Sequence, residues 1–308
     1  MKKELITIRI KSIESLCHHL GTNPLELEKI CSSIDSYYKR FTKIKNGKVR
    51  PIAEPIGRLR SILDRLQALL QRISLPQYIH GGRKKHSNIT NAESHVNKPM
   101  VLKIDLKDFF PSIKSHKVYD LFCTRLECSP DVGRLLTRLT TLDGAVPQGS
   151  PTSTILSALI IEKTAKRINS MAGCHGARYD QYVDDSTLSG PVYIKKFSRT
   201  IDRIVHQAGF AVNPKKTIIM PRSTEQVVTG VRVNSKLDAP SEMIKKTRAI
   251  IEQLLDRQRE GLGVSKKEIR SVRGKIAYIT RLNKGAGKFL FNMAKKLSVQ
   301  SSGLKIFG

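Results

Sequence analysis

Acidic residues are scarce in this chain. Against 55 lysines and arginines stand 26 aspartates and glutamates, a formal charge of +29 over 308 residues. Self-repulsion at that charge opposes compaction and is out of character for a metabolic enzyme of this length, so a polyanionic partner is expected, nucleic acid first. Cysteines number only five, with no CxxC spacing, which argues against a zinc ribbon or a disulfide framework. The absence of HExxH leaves a zinc hydrolase without support. Long apolar runs are missing too: Ile155–Ile161 is the longest apolar-rich stretch, far too short to span a bilayer. The charged start, Met1–Leu5, lacks the apolar core of a secretory leader. A reduced, cytoplasmic protein with no membrane partner is expected. Disorder is the rival explanation of the charge, but a 39% hydrophobic content can bury a real core. The length allows one large domain or two ordinary ones.

Apolar spacing predicts helix over much of residues 1–36, from Ile10, Ile13, Leu16 and Leu20, then again after Asn23-Pro24 with proline in the first turn. Residues 37–50 are basic and aromatic, with a hairpin signal at Asn46-Gly47. Leu59–Leu75 reads as an amphipathic helix and residues 80–90 as a basic loop. The pattern then changes. Val101–Leu106 is a short strand, Pro147–Pro151 a turn into a helix, and Ala177–Thr187 a strand, an acidic turn and a second strand. Phe210–Thr217 and Val227–Val233 read as further strands, and helix resumes at Ser241. Helices interspersed with non-adjacent strands predict an α+β sheet domain. No internal repeat is present.

Charge is uneven along the chain. From Lys236 onward 17 basic side chains accompany 6 acidic ones, and no acid follows Glu268. A short charge run is ordinarily a solvated face. Forty residues without a carboxylate, interleaved with Ile276, Tyr278, Leu282 and Phe289–Phe291, instead suit a folded helical unit facing nucleic acid. Tyr278 suits stacking on a base or, at this spacing, core packing.

Three of the few acids stand out. Asp184-Asp185 follows Tyr182-Val183 between two strand-like runs. An isolated DD pair is ordinarily an exposed turn, and adjacent carboxylates repel unless a divalent cation joins them. Asp105 ends the apolar strand Val101–Ile104, an awkward place for a charge without a metal or partner. Three carboxylates from two sheet segments suit two magnesium ions, which activate an attacking hydroxyl and stabilise leaving pyrophosphate. Asp108, three residues on, is a local cap or faces triphosphate-bound water.

Ile104–Phe110, then Pro147–Ser153, then Tyr182–Asp185 resemble the successive palm motifs of reverse transcriptases in order and spacing, over about residues 45–290. The resemblance implies an α+β right-hand polymerase fold: an N-terminal helical segment (1–40), fingers (41–100), palm (101–235) and a basic helical thumb (236–308). It implies two-metal RNA-directed DNA synthesis from dNTPs, with Mg²⁺ as the ions and Mn²⁺ as a substitute. By motif, Asp105, Asp184 and Asp185 match the metal-binding triad, and Leu106 a backbone carbonyl ligand. Phe110 matches the gate that excludes a ribose 2′-OH, with neighbouring Phe109 left to core packing. Gln148 and Gly149 match nucleotide contacts. Arg50 and Arg60, with Arg58 as a nearby alternative, match the fingers residues that grip triphosphate. In Asn213–Thr217, Lys216 matches the lysine that protonates pyrophosphate; a surface lysine meeting phosphate is its plain alternative.

Two short signatures narrow the family. Asn91-Ala92-Glu93-Ser94-His95 fits the NAxxH pattern of retron reverse transcriptases, and Val228-Thr229-Gly230 their VTG triplet. The resemblance implies that Asn91, His95, Val228, Thr229 and Gly230 bind RNA, and charge makes Lys266, Lys267, Arg270, Arg273, Lys275 and Arg281 of the terminal helices candidates for the RNA stem. Retron membership implies a structured noncoding RNA partner (msr–msd), priming from the 2′-OH of an internal guanosine, a branched RNA–DNA product (msDNA) and antiphage defence with a separate effector protein. Val183, Thr154 and Ala158 depart from the pattern, and Gly81–Asn88 fits it loosely. A group II intron-like enzyme and a catalytically silent RNA-binding scaffold are the rival readings.

Overall fold

The computed structural model describes residues 7–45 and 47–298; Met1–Leu5 and Asn46 of the predicted turn lie outside the described residues. Helices α1 (Ile13–Leu20) and α2 (Pro24–Ser32) are capped by Ser12 and Asn23, side-chain acceptors suited to the unpaired N–H groups of a first turn. An antiparallel hairpin follows, β1 (Tyr38–Lys45) and β2 (Lys48–Pro55), then α3 (Gly57–Leu70) and α4 (Asn88–Glu93). Next come β3 (Met100–Asp105), the short helices α5 (Phe109–Ser112) and α6 (Ser115–Asp120), α7 (Pro130–Thr140), and the long α8 (Ser153–Cys174). The hairpin β4 (Arg178–Tyr182) and β5 (Asp185–Gly190) precedes α9 (Ser198–Gln207), β6 (Ile218–Pro221) and the two-residue strands β7 (Val227–Val228) and β8 (Val231–Arg232). Three helices close the described chain: α10 (Ser241–Arg259), α11 (Lys266–Leu282) and α12 (Lys284–Ala294). Among the described residues no helix is long and apolar enough to cross a membrane.

The central sheet has the order β4-β5-β3-β6, antiparallel throughout. Strand alternation gives it two different faces. Met100, Leu102 and Ile104 point into the main core, which runs from Ile10 to Phe210 and includes α1, α2, α3, α7 and α8. Val101, Lys103 and Asp105 share the opposite face. There, Val101 joins Ala92, Met220, Val228, Val231 and Val233 in a smaller apolar cluster. The C-terminal helices have their own core, from Ala239 to Leu297.

Two strand predictions are corrected. Phe210–Thr217 is not a strand: Val212 makes one bridge to Leu106, Pro214–Lys216 is a 3-10 turn, and pairing begins at Ile218. Proline has no N–H to give a ladder. Val227–Val233 folds back on itself at Thr229-Gly230 rather than running on as strand. The helix expected over 59–75 ends at Leu70.

Candidate active site

Asp105 and Asp185 are direct cross-strand partners on β3 and β5, so their side chains share one sheet face, where like charges repel. The sheet answers with lysines. Lys103, two residues back on the same face, reaches diagonally to Asp185 at 3.2 Å. Lys216 Nζ donates to both oxygens of Asp105 at 2.7 and 2.8 Å. Asp105 is 5% exposed. Burial, then the charge of Asp185, pushes the Asp184 carboxyl above the ordinary range. Burial likewise raises Asp185, against the pull of Lys103. The backbone is tied as tightly: Leu106 N donates to Asp184 O at 2.9 Å and Asn213 N to Asp105 O at 2.8 Å.

The turn bearing Asp184 is strained. Only Val183 and Asp184 separate paired Tyr182 and Asp185, and Val183 has φ 55°, a region costing a β-branched residue about 1–3 kcal/mol. Neighbours hold it there. Gln181 Nε2 donates to Val183 O at 2.8 Å, while Gln181 Oε1 accepts from Ser186 and Tyr179. Gly81 lies so close that a Cβ would come within 2.5 Å of Val183 N. Lys103, Gln181 and Gly81 escaped the sequence reading. A lysine two residues before Asp105 on the same strand face was the available signal for the first; Gln181 depends on the local β4–β5 pairing and Gly81 on long-range packing.

Arg50, Asp105, Leu106, Asp108, Phe110, Gln148, Asp184 and Lys216 line one cleft of about 360 Å³. Phe109 is buried against Phe210, while Phe110 is half-buried in the cleft wall. The β1–β2 hairpin roofs the cleft because Ala53 N donates to Gln148 O at 2.8 Å and Arg40 bonds Asp143 and Asp35 at 2.7 and 2.6 Å.

Several expected site residues lie elsewhere. Arg60 turns onto Asp64 at 3.0 Å and Glu54 at 3.5 Å, and Arg58 onto Glu26 at 2.7 Å; nearer carboxylates hold both away from the cleft. Gly149 is outside the cleft lining as well. Its close neighbour is protein, for a Cβ would meet Ala53 O at 2.7 Å. The direct RNA contacts expected of Asn91, His95 and Val228 are corrected: all three are 0% exposed. His95 Nδ1 lies 2.7 Å from Ser189 Oγ, and its Nε2 is 3.3 Å from Asp180 but poorly aligned for a hydrogen bond. Burial pushes its pKa down to about 4. Thr229 and Gly230 form the β7–β8 turn, Thr229 bonded to Asn88. Lys266, Lys267, Arg270, Arg273, Lys275 and Arg281 are exposed on α11.

Among the described residues no three His, Cys, Asp or Glu side chains are arranged to hold a metal ion, and Asp105 and Asp185 are each paired with a lysine. The donor chemistry nevertheless suits a hard divalent cation: carboxylate oxygens crowded on one face, with room for water and phosphate. The two ammonium groups meet the same need for positive charge.

A four-stranded antiparallel sheet with carboxylates at its hairpin turn, roofed by a basic hairpin and followed by a helical unit, defines a right-hand polymerase. The reverse transcriptase (RNA-dependent DNA polymerase) family matches residues 41–233. The chain belongs to that family, among the retron reverse transcriptases, and its activity is RNA-directed DNA synthesis. It is 31% identical over 285 residues to the retron Ec86 reverse transcriptase of Escherichia coli, covering 87% of this chain and 88% of that one. It is 30% identical to the retron Se72 enzyme of Salmonella heidelberg (73% of this chain, 62% of that one) and 31% to the retron Mx65 enzyme of Myxococcus xanthus (78% and 60%). Among solved structures, apo telomerase from Candida tropicalis shares the fold with a TM-score of 0.51 at 10% identity, over 84% of this chain and 58% of that one. Reverse transcriptases use divalent metal ions.

Proposed function

We propose that the chain copies part of its own structured noncoding RNA, an msr–msd transcript, into a branched RNA–DNA product, priming from a guanosine 2′-OH, in antiphage defence with a separate effector protein. The β1–β2 hairpin serves as fingers, the central sheet as palm and the helices from residue 236 on as thumb, with 299–308 of that segment outside the described residues. One observation carries the polymerase chemistry: Arg50, Phe110, Gln148 and Lys216 meet Asp105 and Asp184 around a single cleft.

In this reading Arg50 grips the dNTP triphosphate and Gln148 orients the nucleotide, with Asp108 facing its phosphates. The primer hydroxyl gives up its proton to solvent and attacks the α-phosphorus; a new P–O bond forms, and the bond from that phosphorus to the oxygen bridging to the β-phosphate breaks. Lys216 Nζ, on the cleft wall, gives a proton to the departing pyrophosphate. Asp105, Asp184, Asp185 and the Leu106 carbonyl would hold two Mg²⁺ ions, or Mn²⁺ in their place. Such ions, when bound, lower the pKa of the attacking hydroxyl and offset charge on the leaving group. Phe110 excludes the 2′-OH of a ribonucleotide by steric clash. Phe110→Ala is therefore expected to reduce dNTP-over-rNTP discrimination on the order of a hundredfold, measured as the ratio of kcat/KM values; unchanged discrimination would remove Phe110 from the gate.

The reading is tested by purifying the protein from its host, digesting it with protease and sequencing the bound nucleic acid. DNA joined to RNA through a 2′,5′ linkage is expected. Linear DNA alone from an active preparation points to an intron-like enzyme, and failure to extend a primer on RNA with dNTPs and Mg²⁺ points to a silent scaffold.

A further inference from the structure

Asn91 of the NAxxH segment donates to Thr229 Oγ1 of the VTG segment at 3.4 Å, and helix α4, which carries Asn91, reaches in two directions. Toward the C-terminal helices, Asn88 Nδ2 donates to Thr229 O at 3.0 Å and to Tyr278 Oη on α11 at 2.5 Å. Thr229 Oγ1 donates back to Asn88 O at 2.9 Å. Thr229 has φ 46°, costly for a β-branched residue, and this reciprocal pair holds it. Toward the catalytic hairpin, Thr90 Oγ1 lies 3.1 Å from His80 Nδ1, whose Nε2 is 3.0 Å from Asp180 Oδ1. Ser94 Oγ donates to the other Asp180 oxygen. Asp180 is on β4, three residues before strained Val183.

The packing has the same two-way character. Ile89, Ala92 and Val96 from this region sit in the small cluster on the carboxylate-bearing face of the sheet. Leu282, at the end of α11, packs against both that cluster and the C-terminal core. The main core and the C-terminal core share no residue among those described, so their relative placement depends on what lies between them.

We infer that α4 is the joint setting the basic helix α11 against the Asp184–Asp185 turn, with Asn88, Thr229 and Tyr278 as its positioning residues. This rests on the reading of α11 as a nucleic-acid-facing helix. The joint touches neither dNTP nor the reacting atoms. Its role is to place the duplex held by α11 in register with the turn, so it governs the productive binding of primer–template and leaves the nucleotide cleft alone.

The test is steady-state extension of a DNA primer on an RNA template by the full chain, with KM measured separately for primer–template and for dNTP. Tyr278→Phe should raise the primer–template KM about tenfold, the loss of one hydrogen bond, and Asn88→Ala, which also removes the bond to Thr229 O, at least as much. The dNTP KM should stay within about twofold. The double variant should be no worse than Asn88→Ala, because that substitution already removes the bond to Tyr278. Thr229→Ser should behave as wild type and Thr229→Val as Asn88→Ala. Tyr278→Phe keeps the ring, so a melting curve like that of wild type separates positioning from misfolding. An Arg270→Glu control reports on α11 itself. Unchanged primer–template KM in Asn88→Ala and Tyr278→Phe, with Arg270→Glu responsive, overturns the joint alone. An unresponsive Arg270→Glu overturns the reading of α11 and the joint with it, as does a wild-type chain that extends nothing.

Discussion

Asp184→Asn is expected to lower primer extension at least on the order of a thousandfold, the loss of about 4 kcal/mol of transition-state stabilisation. The substitution is nearly isosteric, and the backbone bond from Leu106 N to Asp184 O survives it. What disappears is one negative charge close to those of Asp185 and Asp105. Stability should move the other way. Burial and the Asp185 charge raise the Asp184 carboxyl above its ordinary range, so its ionised form costs folding free energy above the unfolded-state pKa. The amide removes that cost at neutral pH. Lost extension together with a melting temperature equal to or above that of wild type is therefore the expected pair of results. Retained extension would show that Asp184 is not a catalytic carboxylate.

Affinity for a structured RNA is expected to fall on the order of a thousandfold between 50 and 200 mM salt, provided roughly six phosphates are neutralised. The six basic side chains named on α11 are all exposed, while Ile269, Val272, Ile276 and Ile279 fill the opposite, buried stripe. That division leaves the charges clear of the core. Replacing Lys267 and Arg270 by glutamine should weaken binding at low salt and reduce the slope of log affinity against log salt by about two. Fluorescence anisotropy with a labelled stem-loop measures both. A salt slope unchanged by the double substitution would move the RNA contact away from α11.

The palm was legible because its chemistry is local. A carboxylate ending an apolar strand, a Pro-Gln-Gly turn and a DD pair at a hairpin tip are readable from neighbouring residues, and the cleft does gather Asp105, Asp184, Phe110 and Gln148. Arg60 failed because nearest-carboxylate geometry is not visible in a motif: Asp64 lies one helical turn away and captures it. Asn91 and His95 failed for a different reason. A short polar signature has the same letters whether it meets RNA or fills a buried network, and only the packing of α4 against the sheet makes both residues 0% exposed.

By itself, the sequence determined that this protein is a strongly positive polymerase of the reverse transcriptase family, with three carboxylates at its centre and an acid-free basic end. Composition and short motifs suffice for that, because charge is additive and each motif carries its chemistry within a few residues. Tertiary structure alone decided which cations face those carboxylates, what holds Val183 at a positive φ, and how the two retron signatures join. The lysine–carboxylate pairs, the approach of Gly81 to Val183 and the Asn88–Thr229 bonds join residues distant in sequence, set by strand register and packing, while Gln181 acts on Val183 locally. A shift of one residue in that register would turn every side chain of the strand to the other face.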